Sequence, residues 1–469
     1  MDLSKIFSFI PEVKKPDEKK VSFKVKLKWT LIVLAAFFVL ANIPLFGLSE
    51  NALARFEYLA IILGTDFGSL ISLGIGPIVM ASIILQLLTG SGILNIDTTT
   101  QEGKRFFQGL QNMLVFFFII FEAIVYVVMQ GLQAMPGFAG IVIFQLILGG
   151  LAIFYMDQVT QKWGFGSGVS LFIGAGVSWR LITSAFQFLS SEGQFIPSGK
   201  VLVFISSIIN KSSIEATSAM AAIIATAVIF LLVVWAQSLK VEIPLSFGRI
   251  RGYTTKWPLS FFYASVIPVI LTAALIANIQ LFGGLIQNSV TACAQGTCSG
   301  LQGFASHFTF LGTFVNGQAV SGLAFWMHST NLLELAIRGG LLPKFLVQGL
   351  THILFFMFFS TIFSIFWVKT SGMDAKNQAK KISASGLQVA GFRQDQRIIE
   401  NILNRYVMPL TVMGGAAIGL LAAATDLLGA LVSGTAILLV IMIMFQFYQS
   451  IAQQHETDMN PALRKFIGG

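Results

Sequence analysis

Two polar side chains inside predicted membrane spans are the residues of this chain that could do chemistry within a bilayer. Glu122 falls in a predicted span at 106–130, and Asn278 falls in another at 261–283. A carboxyl group in lipid is costly unless it pairs or takes up a proton, and in transporters such groups mark ion or proton paths. Two isolated groups make a poor ion site. The sequence leaves two roles open: an interhelical hydrogen bond that only holds helices together, or a polar latch between helices that separate.

Other chemistry is missing from the sequence. His352 is the one histidine inside a predicted span, and no acid or serine in a span matches it, so we predict a packed helix residue. There is no phosphate-binding loop and no metalloprotease or serine-hydrolase motif. We predict no metal site, because His307 and His328 lack the spacing of ligands, and no cofactor. These observations argue against a nucleotide-driven pump and against an intramembrane enzyme, so no catalytic residue is predicted.

Ten long apolar stretches position these groups. The chain has 469 residues, of which 55% are hydrophobic and 11% charged, with a mean hydropathy of +0.79. A soluble domain carries about 25% charged residues, and a span needs roughly 20 mostly apolar residues. The predicted spans are 29–48, 74–94, 106–130, 138–156, 168–188, 217–239, 261–283, 345–368, 407–425 and 433–452. The apolar interval 53–67 is too short to span, which predicts a re-entrant helix or, alternatively, a helix lying flat on the membrane.

Positive charge is distributed unevenly between the two sides of the membrane. When the spans are counted in order, 24 of the 30 lysines and arginines fall on the side of the N-terminal tail and 6 on the other. The positive-inside rule therefore predicts that both termini are cytoplasmic. The cytoplasmic segment 369–405 carries seven cations, more than orientation requires. This excess favours an anionic partner, either ribosomal RNA or lipid headgroups, whereas topology signalling alone explains the remaining basic surface.

The chain shows an internal repeat at an offset of five spans. Pro77 and Pro268, in spans two and seven, are each followed by a pair of branched apolar residues, and Ser167-Gly168 before span five matches Ser433-Gly434 before span ten. Because five is odd, the second half must lie inverted in the membrane, as in many transporters. The predicted organisation is a cytoplasmic amphipathic and basic segment at 1–28, a first half at 29–190, an external linker at 191–216, a second half at 217–453 and a cytoplasmic tail at 454–469.

The two cysteines of the chain lie in its long external segment, 284–344. They are Cys293 and Cys298, separated by Ala-Gln-Gly-Thr. This spacing predicts a small loop closed by a disulfide on the oxidising side of the membrane. Two free thiols are the alternative.

Several sequence blocks, distributed along nearly the whole chain, resemble one family. They are LGIGPIV at 73–79, GFGSG at 164–168, VEIPL at 241–245 with GRIRG at 248–252, and YVMPLT at 406–411. In combination they closely resemble the SecY family, the main subunits of the protein-conducting channel, in its archaeal form. The resemblance implies an all-α polytopic membrane protein with ten transmembrane helices, arranged as two inverted five-helix halves around an hourglass pore. It also implies that 57–67 is a short re-entrant plug helix.

The resemblance further implies three groups of site residues. The pore ring consists of branched apolar residues, namely Ile75, Val79, Val169, Ile173, Ile270 and Leu439. The plug includes Glu57, Ile61, Ile62, Gly64 and Asp66. The lateral gate, through which apolar segments leave into lipid, takes in Met80, Glu122 and Asn278. Met80 stands where related archaeal chains can carry a hydroxyl residue, and it could pack against an arriving apolar segment.

Two cytoplasmic loops, 240–260 and 369–405, resemble ribosome-docking loops. Their cations are Arg249, Arg251, Lys256, Arg393 and Arg397. The resemblance implies a passive pore in the cell membrane, driven by a partner such as the ribosome, that passes unfolded secretory polypeptides. The implied partners are the ribosome and its RNA, signal sequences and nascent polypeptides, the lipid bilayer, and single-span subunits like SecE and the archaeal beta subunit in a heterotrimer. The alternative is an inverted-repeat secondary transporter of a small solute.

Overall fold

In the described residues of the first half, five helices each lie within or overlap one predicted span. The computed structural model describes residues 11–17, 21–51, 67–94, 96, 100–188, 198–247, 254–264, 266–294, 306–315, 318–384, 387–389 and 396–459. The helices of the first half are α1 (Phe23–Ala41), α2 (Gly76–Gly90), α3 (Gln101–Val128), α4 (Ala139–Trp163) and α5 (Gly168–Phe186). Pro77 lies in the first turn of α2, where the missing N–H of proline costs nothing.

Five long helices and four short ones lie in the described residues that follow α5. The long helices are α7 (Ser213–Gln237), α8 (Ile267–Ala294), α11 (Pro343–Thr370), α13 (Gln396–Leu427) and α14 (Gly434–Met459). The short helices are α6 (Lys200–Ile209), α9 (Gly322–Met327), α10 (Leu332–Ile337) and α12 (Ala375–Ala384). A 3₁₀ turn at Ser306–Leu311 precedes α9. Each of spans six to ten therefore contains one long helix.

Within the described part of the chain, eight helices are long and apolar enough to cross a membrane: α3, α4, α5, α7, α8, α11, α13 and α14. The other two predicted spans coincide with α1 and α2. Helix α1 carries three lysines in its first six residues, and α2 has 15 residues, fewer than the roughly 20 that cross the hydrocarbon core. Helix α2 is thus a short apolar helix packed inside the protein, and most of its residues are buried.

Helix α1 lies several residues earlier in the sequence than the first predicted span, 29–48. Helix α1 begins at Phe23, inside the predicted 1–28 segment, and ends at Ala41, before Pro44. The following residues turn through Gly47, which has a φ of +83°, into strand β1 (Leu48–Asn51). Residues 11–17 form neither a helix nor a strand, and their backbone is bonded to the end of α4, where Lys162 Nζ donates to the carbonyl of Val13 at 2.7 Å.

Short antiparallel sheets, which the sequence analysis missed, connect the ends of the helices. Strand β1 pairs with β2 (Leu132–Ala134), and β5 (Thr313–Val315) pairs with β6 (Gln318–Ser321). The third sheet has the order β4-β3-β7, formed by β3 (Lys240–Phe247), β4 (Thr254–Ser260) and β7 (Leu387–Val389). Both predicted docking loops therefore contribute strands to one sheet.

Two apolar clusters hold these elements together. The larger cluster joins α1 to α5 with α8, α11, α13 and α14. The smaller cluster lies under the β4-β3-β7 sheet, where Ile243 and Leu259 meet Ala379 of α12 and Leu403 of α13. The β4-β3-β7 sheet is thus fixed to the amino-terminal part of α13, and that helix continues into the larger cluster.

Gly149 of α4 marks the closest approach between α4 and the segment that leads into α2. A Cβ atom at this position would lie 1.8 Å from the carbonyl oxygen of Leu70. We expect Gly149→Ala to lower the thermal unfolding midpoint of the purified protein, because overpacking of this kind costs about 1–3 kcal/mol. Gly140→Ala, in the same helix, is the control, since nothing lies within 4 Å of that position. Equal midpoints for the two variants would contradict this packing.

Candidate functional site

The six predicted ring residues all lie in or beside the first turns of four helices. Ile75 directly precedes α2, which carries Val79. Val169 and Ile173 lie in the first six residues of α5. Ile270 and Leu439 hold corresponding places near the starts of α8 and α14. The helix starts fix these side chains, because each is within about two turns of the residue where its helix begins.

The same six residues are withdrawn from solvent. Ile75 and Ile173 are 0% exposed, and Val79, Ile270 and Leu439 are buried to nearly the same extent. All five belong to the larger apolar cluster, and the partly buried Val169 packs against it. Burial of a branched apolar side chain contributes about 1.5–3 kcal/mol. Both halves of the chain therefore contribute predicted ring residues to one apolar cluster.

A cavity of about 470 Å³ lies against this cluster. Val79, Val169 and Ile270 form part of its wall. Its remaining wall contains uncharged hydrogen-bonding side chains, which are Ser82, Gln86, Gln108, Gln111, Gln161, Ser167, Ser170, Thr370 and Ser371. The charged residues on the wall are Lys104 and Asp157. Apolar side chains, among them Ile78, Phe107 and Trp367, form most of the exposed wall, and its polar groups are mainly neutral. The cavity therefore does not form a cage for one ion, which agrees with the small number of ionisable groups in the spans.

The predicted lateral-gate residues lie on helices that pack around α2. Met80 of α2 is partly buried and packs against the larger cluster. Gln111 Nε2 of α3 donates to Ser82 Oγ of α2 at 2.9 Å. The Glu122 carboxylate lies beside the start of α2, since a Cβ atom on Gly76 would be 3.0 Å from Glu122 Oε2. Helix α3 is thus joined to α2 by one hydrogen bond and one close carboxylate contact.

The two intramembrane polar groups do not form a latch within the described residues. Asn278 Nδ2 donates to the carbonyl of Ala274, one turn earlier in its own helix, at 2.8 Å. Glu122 is 1% exposed, and neither of its oxygens has a hydrogen-bond partner in the described part of the chain. Asn278 is therefore satisfied within α8, and the role of Glu122 in gating stays a prediction.

His352 is a buried residue of α11, as predicted, and it also has partners on other elements. Its Nδ1 donates to the carbonyl of Met327 at 2.7 Å, and its Nε2 lies 3.5 Å from Asp426 Oδ2. His328, His352 and Asp426 line one small cavity. The pKa of His328 is lowered to about 4, mainly by burial and further by the nearby His352. Asp426 lies in α13, and Met327 is the last residue of α9. No spacing within one span could therefore have indicated these partners.

Sequence reasoning also missed two carboxylates at the ends of helices. Asp157 Oδ1 accepts from the backbone N of Val169 at 3.0 Å, and its Oδ2 accepts from Gln161 Nε2 at 2.8 Å. Asp426 Oδ1 accepts from the backbone N of Thr435 at 2.6 Å. The available signal was the position of each aspartate before a repeated Ser-Gly pair, ten residues before Ser167 for Asp157 and seven before Ser433 for Asp426.

The remaining predicted site residues are described in part or fall outside the described residues. Those outside are Glu57, Ile61, Ile62, Gly64 and Asp66 of the plug, Arg249, Arg251 and Arg393 of the docking loops, and Cys298. Lys256 lies in β4 and Cys293 in α8, but their side chains are not described. Arg397 is exposed in the first turn of α13. The plug and the disulfide stay predictions.

The contacts of α3 with α2 yield a paired test. We expect Gln111→Leu to lower the thermal unfolding midpoint, because it removes a hydrogen bond worth about 1 kcal/mol. Glu122→Leu should leave the midpoint unchanged or raise it, because it replaces a buried carboxyl that has no hydrogen bond in the described residues. Both substitutions lie on α3 and can be compared in the same detergent. A larger loss for Glu122→Leu would show that the carboxyl binds a partner that holds the helices.

Comparisons with known proteins agree with this geometry. The sequence model of the SecY family matches residues 69–448. The chain is 41% identical to protein translocase subunit SecY of Methanothermobacter thermautotrophicus, over 99% of this chain and 98% of the relative. The solved structure of a protein-conducting channel superposes with a TM-score of 0.83 at 35% identity, covering 99% of both chains. Sec61 in the canine ribosome-channel complex superposes with a TM-score of 0.80 at 35% identity and the same coverage. The chain is a multi-pass membrane protein that belongs to the SecY family.

Proposed function

We propose that this chain is the central channel-forming subunit of the protein translocase of an archaeal cell membrane. It passes unfolded secretory polypeptides across the membrane and releases membrane segments sideways into lipid. The observation that carries the proposal is the apolar cluster, in which ring residues from both halves are buried beside a cavity with few charged residues. Membership of the SecY family supports the same function, since a relative of this chain is a protein translocase subunit.

The proposed pore ring explains how one site can seal and still pass any sequence. A narrow constriction of branched apolar side chains excludes ions and water, because a hydrated ion would lose its shell there without gaining polar ligands. The same side chains offer no hydrogen bond that would select particular residues of a passing polypeptide. Ile75, Val79 and Ile270 can therefore close against each other at rest and yield around an extended chain.

Lateral release would occur between α2 and α8. The repeat prolines lie in the first turns of both helices, and both helices line the cavity. Met80 of α2 packs against the larger apolar cluster, and its flexible, polarizable side chain suits contact with apolar segments of differing shape. The segment 57–67, with Glu57, Ile61, Ile62, Gly64 and Asp66, is proposed as the plug that covers the closed ring.

The pore would be passive and would do no catalysis of its own, so its driving force comes from a partner. The β4-β3-β7 sheet joins the two basic loops into one platform, and Arg249, Arg251, Lys256, Arg393 and Arg397 supply cations for ribosomal RNA. A Sec61 relative has been solved in a ribosome-channel complex. The platform would face the cytoplasm together with both termini, and single-span subunits like SecE and the archaeal beta subunit would complete a heterotrimer.

The direct test is to trap a secretory nascent chain on a stalled ribosome and to crosslink it from defined positions. A photoreactive amino acid in place of Ile75 or Ile270 should crosslink to the nascent chain, because the polypeptide must pass through the ring. The control position is Leu231 of α7, which is 67% exposed on the outside of the helix bundle. Equal crosslinking at all three positions, or uptake of a small solute without any crosslink, would contradict the proposed function.

A further inference from the structure

Two aspartates hold the starts of two helices in the same way. Asp157, near the end of α4, accepts a hydrogen bond from the N–H of Val169, the second residue of α5. Asp426, near the end of α13, accepts one from the N–H of Thr435, the second residue of α14. A carboxylate at this place satisfies one of the unpaired N–H groups of a helix start and interacts favourably with the helix dipole.

The two helix starts also approach the preceding helix through the same residue type. A Cβ atom on Gly168 would lie 2.6 Å from Asp157 Cα. A Cβ atom on Gly434 would lie 2.1 Å from the carbonyl carbon of Thr425, the neighbour of Asp426. Both distances are shorter than any side chain tolerates, so only glycine lets each helix start reach its aspartate. The repeated Ser-Gly pair thus marks a repeated contact, not only a repeated sequence.

The two contacts lie on opposite sides of the predicted ring. Helix α14 runs antiparallel to α5, since a Cβ atom on Gly166 would lie 3.7 Å from Phe447 Cε1 and one on Gly174 would lie 3.4 Å from Ile443 Cγ2. Gly434, the first residue of α14, precedes Phe447 by 13 residues. At about 1.5 Å per residue, the start of α14 therefore lies about 20 Å from the start of α5 along the helix axis. This is the relation that an inverted repeat requires.

The aspartates hold the helix turns that carry ring residues. The N–H that Asp157 binds belongs to Val169 itself, and Ile173 follows one turn later. The N–H that Asp426 binds lies four residues before Leu439. Loss of either acceptor would leave the first turn of its helix free to fray, and the apolar side chains on that turn would lose their fixed direction.

We propose that Asp157 and Asp426 are equivalent positioning residues, which hold the amino-terminal turns of α5 and α14 so that their apolar side chains keep the waist closed. This inference rests on the proposed function, because it assigns a role to residues that support the ring. The two sites differ in their second partners. Asp157 is held by Gln161 of its own helix, whereas Asp426 lies against His352 of α11 and also binds the Thr435 hydroxyl.

The test is the resting ion conductance of the purified channel complex in a planar bilayer. Asp157→Ala and Asp426→Ala should each raise the resting conductance roughly tenfold. The reason is that loss of a helix cap increases the frayed population of the first turn by about that factor. Asp157→Asn and Asp426→Asn should restore most of the seal, because the amide oxygen still accepts from the backbone N–H. Thr100→Ala is the matched control, since Thr100 Oγ1 caps α3, which carries no ring residue, by accepting from the N of Gly103 at 3.0 Å. It should leave the conductance unchanged.

Ile270→Ser serves as the reference for a disrupted ring. If Ile270→Ser raises the conductance and both alanine variants do not, the positioning role is wrong and the ring stands. If none of these variants raises it, both the positioning role and the ring assignment are wrong. A rise with Thr100→Ala would show general loosening and would also overturn the proposal. If an alanine variant does not fold, Asp157→Glu displaces the acceptor by one methylene and must raise the conductance in the same way.

Discussion

The structure depends on the burial of branched apolar side chains where four helices begin. Inside a membrane, a pore must exclude ions without binding them, and an apolar constriction achieves this by offering no polar ligand. Ile75, Val79, Ile270 and their partners are buried in one cluster although they come from both halves of the chain. The spans hold few ionisable groups, and the two aspartates beside the ring turns, Asp157 and Asp426, accept hydrogen bonds from backbone N–H groups.

The proposed seal lies at helix starts, so the first turns that carry its side chains must be held in place. The first turn of a helix has unpaired N–H groups and is the part that frays most readily. The chain meets this demand with Asp157 and Asp426 as acceptors, and with Gly168 and Gly434 at the points of closest approach. The short helix α2 is held differently, by the hydrogen bond from Gln111 to Ser82 and by close packing against Glu122. The helix starts can be rigid while the apolar lining yields, because backbone N–H groups hold the starts and side chains form the lining.

Much of this arrangement could be predicted from local sequence. Apolar length and the repeated Pro and Ser-Gly pairs indicated the ten helical segments and their inverted relation, because helix starts have local signals. The pairing of His352 with Asp426 could not be predicted, since the residues lie on different helices and no single-span pattern connects them. The β4-β3-β7 sheet was missed for a similar reason, as its strands come from two loops that are distant in the sequence. Contacts of this kind depend on how distant segments pack together, and no periodic pattern in a single sequence indicates them.

The resting ion conductance of a channel with a polar ring tests the central claim most directly. The complex carrying Ile75→Ser, Val79→Ser and Ile270→Ser would be compared with the unmodified complex in the same bilayer and at the same voltage. If the apolar cluster is the seal, the substituted channel conducts ions at rest while the unmodified channel stays closed. An equal, low conductance in both would show that the barrier lies elsewhere and would contradict the account.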